Sequence, residues 1–241
     1  MCNATTASFP SIPTCGLFDL PFLFANDEQA YEVLDGEVGQ TLLDGFNGTG
    51  IKALGFWENG FRQMTNNVRP VTSPEDMAGL KMRSANASIF IKIFECLGAT
   101  VTMVDMTELF SAMQQGMVDG QENPLTTILT SSYYEVQKYC TLTNHIYLSC
   151  PVVFNEALWE DYGEDIQNLL TEAFAMGCEN ERELNRQTDE AAVEELTAKG
   201  MEVDEVSDYE EWKTALAPVW DYFKSEYGAE GEALIETVTA G

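Results

Sequence analysis

Three side chains in this sequence have the types and settings that hold an organic anion. Leu80-Lys81-Met82-Arg83 reads as a short strand ending in arginine. A guanidinium at a strand end points its planar fork into the crevice where α/β sheets place ligands. A second arginine, Arg62, closes the run Phe56-Trp57-Glu58-Asn59-Gly60-Phe61-Arg62, and Asn123 lies in Gly120-Gln121-Glu122-Asn123-Pro124. Two such forks and one amide hold a carboxylate by paired, charge-assisted hydrogen bonds. A lone arginine is more often half of a surface ion pair. Arg83 escapes that reading, because apolar residues and Asn86 surround it and no acid lies near in sequence.

Other chemistry is thinly represented. His145 is the single histidine, so a multi-histidine metal site is excluded. The six cysteines (Cys2, Cys15, Cys96, Cys140, Cys150, Cys178) form no CxxC pair and no cysteine–histidine metal spacing. Cys96 and Cys178 fall among apolar helical positions and read as small core residues. A disulfide is compatible with an oxidising compartment, and the spacing does not pair the thiols. No nucleophile elbow or phosphate loop occurs. An acid/base enzyme built on Glu122 and His145 is a weaker alternative.

Composition narrows the partners. The 241 residues are 45% apolar and 11% aromatic, as in a globular protein with one large core or two lobes. Twelve basic against forty acidic residues give a net charge of −28, which repels phosphate backbones and argues against nucleic acid. No uncharged apolar run reaches the roughly 18 residues of a membrane span. The start, Met1-Cys2-Asn3-Ala4, has neither a basic region nor an apolar stretch of an export signal. The expectation is a cytosolic protein or one whose true N-terminus lies upstream.

The elements that must position these groups alternate between strand and helix, the pattern of an α/β protein. Strands are expected at Ile51–Trp57, Leu80–Arg83, Val101–Val104 and Cys150–Phe154. Ser73-Pro74-Glu75-Asp76 is a capped helix start cut short by Gly79. Phe90, Ile93, Phe94 and Leu97 mark one helix face closed by Gly98. Thr107 is expected to cap a helix burying Leu109, Phe110, Met113 and Met117. From Glu164 to Lys199 the pattern stays helical, long enough to leave one lobe and cross to another, with Ile166, Leu169, Leu170, Ala173 and Phe174 on one side. The tail from Tyr209 to Val238 reads as two helices separated near Gly228.

Taken together, the blocks around Arg62, Arg83 and Asn123, with Tyr134–Tyr139 running to Thr143-Asn144-His145 and the segment Leu17–Phe24, resemble the DctP-type substrate-binding subunits of tripartite ATP-independent periplasmic (TRAP) transporters. The resemblance covers essentially the whole chain. It implies a two-lobed periplasmic-binding-protein-like α/β fold, with a long crossing helix and a first lobe that lacks its opening strand–helix–strand portion, ahead of Thr5–Ser8. By this match Arg83 is the principal carboxylate-binding arginine and Asn123 the cleft asparagine. Arg62, Glu122 and His145 form a linked supporting network, joined by Asn144. Met106 stands where many members carry a ligand-packing aromatic, which leaves the acid's identity open; the alternative for Met106 is plain core filling.

The resulting expectation is an extracytoplasmic, periplasmic binding protein rather than an enzyme, with no cofactor. Residues 1–60 and 149–186 form the first lobe, and residues 61–148 and 187–241 the second. The lobes close by hinge motion on a small organic acid, a C4-dicarboxylate or another carboxylate, for delivery to TRAP membrane subunits. A sensory ligand-binding module is the rival binding role.

Overall fold

One strand sets the architecture. The computed structural model describes residues 2–3, 8–9 and 12–239; residues 4–7, where the match to the family was expected to enter, lie outside them. The strands are β1 (Cys2–Asn3), β2 (Ile51–Asn66), β3 (Lys81–Ser84), β4 (Thr100–Met103), β5 (Gly120–Pro124), β6 (Tyr139–Leu142), β7 (Tyr147–Asn155) and β8 (Glu202–Glu205). The helices are α1 (Asp27–Asp35), α2 (Glu37–Asp44), α3 (Ser88–Cys96), α4 (Met106–Gln114), α5 (Leu125–Thr130), α6 (Glu156–Asp161), α7 (Gly163–Ala198) and α8 (Tyr209–Thr239). From Ile51 to Phe61, β2 pairs antiparallel with β7. From Arg62 to Asn66 it pairs with β5, and from Met64 to Asn66 also with β6. A single strand thus serves both sheets.

The sequence marks only the first half of β2, because Glu58-Asn59-Gly60 looks like a turn. The register slips there instead: Glu58 faces Ser149 and Gly60 faces Leu148. Asn59 is therefore an inserted residue, a bulge that bends the strand toward the second sheet. Gly60 adopts φ 90°, a region that only glycine enters cheaply.

The remaining elements follow their local signals with two corrections. Phe90, Ile93, Phe94 and Leu97 are all buried, and Asp76 accepts from Ser73 N at 2.9 Å in the short capped turn. Gly228 breaks α8 with φ 55° and ψ −140°. Helix α4, however, starts one residue before Thr107, with Asp105 as its cap position. Its buried residues are Leu109, Ala112 and Met113. Met117 lies beyond the helix end and is exposed, since Gly116 turns the chain with φ 70°. On α7 the apolar side divides: Ile166 and Leu169 are exposed, while the Phe174 ring takes the space a Cβ on Gly55 would occupy. Cys178 is buried and Cys96 half-buried, and the five cysteines whose side chains are described are free thiols. No described helix is long and apolar enough to cross a membrane.

Of three apolar cores among the described residues, the smallest joins Ile12, Cys15 and Phe46 to Ala53 and Val153. The largest joins the Leu17–Phe24 segment, α1, α3 and α8 around β2 and β7; the second joins α4 and α5 to the C-terminal end of α7 through Ala192 and Leu196. Between them α7 lies against β2 with polar groups. Arg182 grips Asp35 at 2.7 and 2.9 Å. Asn185 donates to Glu58 at 3.2 Å, whose other oxygen accepts from Tyr31 and Tyr147 at 2.9 and 2.5 Å. Asp189 accepts from Thr126 N and Oγ1 at 3.3 and 2.7 Å, which ties α7 to α5.

Burial, reinforced by the Glu58 and Asp27 carboxylates nearby, pushes the Asp189 carboxyl up to about 6 despite the Thr126 hydrogen bonds. A raised carboxyl holds its proton longer in the folded than in the unfolded chain. Its contribution to stability is lost as pH rises from the ordinary aspartate range through about 6. Asp189→Asn keeps the acceptor oxygen and removes the charge. Thermal unfolding at pH 8 should then shift upward by about 2–4 °C per kcal/mol recovered, with no shift near pH 4. A uniform shift at both pH values would contradict this.

Candidate functional site

Where β2 enters the second sheet, its side chains meet those of β5. Arg62 stands opposite Pro124 and Gln63 opposite Asn123. Arg62 Nε pairs with Glu122 Oε2. Its Nη2 donates to Glu122 Oε1 at 2.8 Å, to the Glu122 carbonyl at 2.7 Å and to Asn123 Oδ1 at 3.2 Å. The Phe90 ring lies 5.1 Å from the guanidinium carbon, within cation–π range. His145 Nε2 stands 3.6 Å from Glu122 Oε2, and its Nδ1 lies 2.7 Å from Thr143 Oγ1. Burial alone would raise the Glu122 carboxyl; Arg62, with His145, outweighs it and holds the group well below the ordinary carboxylate range. Arg62 is thus spoken for.

Arg83 is not. Only 4% of it is exposed, and its Nε donates to the Val104 carbonyl at 2.8 Å. Among the described residues no carboxylate comes within ion-pair distance of it. Burial pulls its pKa below the ordinary arginine value, with Glu122 opposing and Arg62 adding to the fall. A guanidinium stays charged even so. A desolvated cation without a counter-charge is an anion site in waiting.

Asn123 is aimed by its neighbours. Its Nδ2 donates to Gln121 Oε1 at 2.5 Å, and Gln121 Nε2 donates to Thr65 Oγ1 at 2.9 Å. Thr65 donates in turn to Gln137 at 2.9 Å. Sequence reasoning passed over Gln121, Thr65 and Gln137. The signal for Gln121 was its place two residues before Asn123, on the same face of a strand. Asn144 goes elsewhere: with φ 45°, it exchanges bonds with Gln63 at 2.6 and 3.0 Å rather than meeting Glu122. Met106, the first residue of α4, is 44% exposed, and its Sδ lies 3.9 Å from Asn123 Nδ2. Core filling does not describe it.

These groups face two adjoining cavities. The inner one, about 130 Å³, is lined by Arg62, Arg83, Phe90, Met106 and Asn123 among others. The outer one, about 1040 Å³, continues past Arg83 and Met106 to Asn86, Asp105 and Glu108. A family model described as DctP, bacterial extracellular solute-binding protein, family 7, matches residues 1–226. The chain belongs to the DctP family.

Relatives and solved structures agree with that membership. A solute-binding protein of Verminephrobacter eiseniae is 40% identical over 217 residues, covering 90% of this chain and 65% of the relative. The sugar acid binding protein DctPAm of Advenella mimigardefordensis, solved with galactonate, superposes with a TM-score of 0.94 at 36% identity. The match covers 99% of this chain and 78% of that one. A TRAP periplasmic solute binding protein of Sulfurospirillum deleyianum, solved with succinate, gives 0.91 at 33%, covering 99% and 78%. This DctP-family chain spans about two thirds of the length of the curated relatives it matches. Its two-lobed α/β fold with a long helix is that of TRAP periplasmic binding proteins.

Proposed function

We propose that this protein captures a small organic acid by its carboxylate, outside the cytoplasm, and delivers it to the membrane subunits of a TRAP-type transporter. The observation that carries the reading is Arg83, a buried guanidinium that lines both cavities and has no carboxylate partner among the described residues. Its fork takes two carboxylate oxygens, and the Asn123 amide takes a further bond. Arg62, already neutralised by Glu122, holds Asn123 in place. The reading needs no cofactor.

Residues 1–60 and 149–186 act as one lobe and residues 61–148 and 187–241 as the other. The change of sheet in β2 near Gly60 and the length of α7 support that division. Closure brings the lobes together over the acid. Proton-transfer chemistry is disfavoured, because Glu122 is held ionised by Arg62 and makes a poor base near neutral pH. A sensory role would share the same site and differ in its partner. Calorimetry with a panel of organic acids, followed by recovery of the bound acid, separates binder from enzyme. An acid recovered unchanged supports the proposal, and turnover would sink it.

Met106 tests the shape of the site. A flexible thioether adapts to its contacts, whereas an aromatic ring presents a rigid face. Met106→Phe should reorder affinities across the acid panel while leaving thermal stability close to the parent. An unchanged ranking would remove Met106 from the ligand's surroundings.

A further inference from the structure

The inner cavity carries two polar side chains for which carboxylate capture has no use. Asn59 of β2 and Thr127 of α5 line it beside Arg62, Arg83 and Asn123. Neither the Asn59 amide nor the Thr127 hydroxyl bonds to another described residue. Their placement is a product of the bulge. In an unbroken strand Asn59 and Arg62, three residues apart, would point to opposite faces. The inserted residue reverses that alternation, so both line one cavity. The bulge has little room to relax: a Cβ on Gly60 would lie 2.9 Å from Asp189 Oδ2. Thr127 is set by the same clasp, since the adjacent Thr126 is bonded to Asp189.

Charge points the same way. Among the described residues Glu122 pairs with Arg62, which leaves Arg83 as the one unpaired cation lining the inner cavity. The outer cavity offers Asp105 and Glu108, and no lysine or arginine beyond Arg83 is among its described lining. A second carboxylate placed there meets repulsion, whereas hydroxyl groups in the inner cavity meet an unused amide and an unused hydroxyl. A site built to bond a hydroxyl rejects the analogue that lacks it, because its own polar groups are then left unpaired. We infer that Asn59 and Thr127 are specificity-determining residues that bind hydroxyl groups, so that the favoured ligand is a short hydroxylated monocarboxylic acid rather than a dicarboxylate. This deepens the proposed function and rests on carboxylate capture by Arg83.

The test compares four-carbon acids on the protein as its gene encodes it, by calorimetry at pH 7. The probes are erythronate and threonate (three hydroxyls, opposite relative configurations), butanoate (none) and succinate (a second carboxylate). The better trihydroxy acid should bind at least about tenfold more tightly than butanoate or succinate. Asn59→Ala and Thr127→Val should each weaken it about fivefold or more, with unfolding temperatures unchanged. A parent that binds butanoate or succinate as tightly as the better hydroxy acid overturns the inference. So do two variants that bind that acid as the parent does. Succinate binding that is lost in Arg83→Ala would overturn the hydroxy-acid class alone and keep carboxylate capture. If none of the four acids binds the parent, the short hydroxy-acid class falls, and carboxylate capture is decided by the wider acid panel.

Discussion

Replacing Arg83 by alanine is expected to cost roughly 2–5 kcal/mol of ligand affinity, about 30-fold to several thousand-fold, with little loss of stability. The two effects separate because of what Arg83 touches. In the free protein it gives one hydrogen bond to a carbonyl and has no described carboxylate within ion-pair distance. Removing it therefore relieves a desolvated charge while deleting the ligand's counter-ion. Arg83→Lys should also bind poorly, since an ammonium is a point charge and cannot reproduce a bidentate fork. Titration calorimetry and a melting curve on the same sample decide the matter. An alanine variant within about threefold of the parent (~0.65 kcal/mol) would remove Arg83 from the site.

Glu122 should show the opposite balance. Its carboxylate neutralises Arg62 in a setting where both are almost wholly buried. Glu122→Ala strands the guanidinium and should cost about 3–5 kcal/mol of folding stability. Glu122→Gln retains an acceptor and should cost less, and it should weaken ligand binding less than the loss of Arg83 does. The acid limb provides a second readout. Glu122 is depressed in the folded state, so its contribution is present above the ordinary glutamate range and is lost as pH falls toward its folded value. The parent should lose stability steeply in that acid range, and Glu122→Gln should lose it less steeply. If Glu122→Gln harms binding more than Arg83→Ala, Glu122 meets the ligand or its chemistry directly.

Much of this was legible because strong local signals agreed with the fold. The apolar spacing of Phe90, Ile93, Phe94 and Leu97 places α3, and Gly228 breaks the last helix where a flexible residue interrupts the pattern. Arg83 stood out because a basic residue in an apolar run is costly without a purpose. What stayed hidden depends on contacts distant in sequence. The continuation of β2 past Asn59 is stabilised by β5 and β6, more than fifty residues later. The chain from Asn123 through Gln121 and Thr65 to Gln137 joins two strands and a loop, and no single window contains it. The resemblance implies Asn144 in the network of Glu122 and His145, yet its left-handed backbone turns it toward Gln63. The exposure of Ile166 and Leu169 was equally out of reach, since a helical stripe states which residues share a side and not what covers it.

The double membership of β2 also governs how the molecule comes apart. Its first half closes the sheet with β7 and its second half lies between β5 and β6. Peeling β2 out of either sheet leaves that sheet's strands unpaired and pulls on the backbone held by the other. Neither half can melt while its neighbour stays intact, since the largest apolar core holds Phe56 of the first half and Met64 of the second. Denaturant unfolding should therefore be one cooperative transition, coincident for Trp57 fluorescence on the first sheet and for amide exchange of β5 on the second. Assembly inherits the reverse constraint: β2 must wait for partners synthesised far later in the chain, a high contact order that makes folding slow.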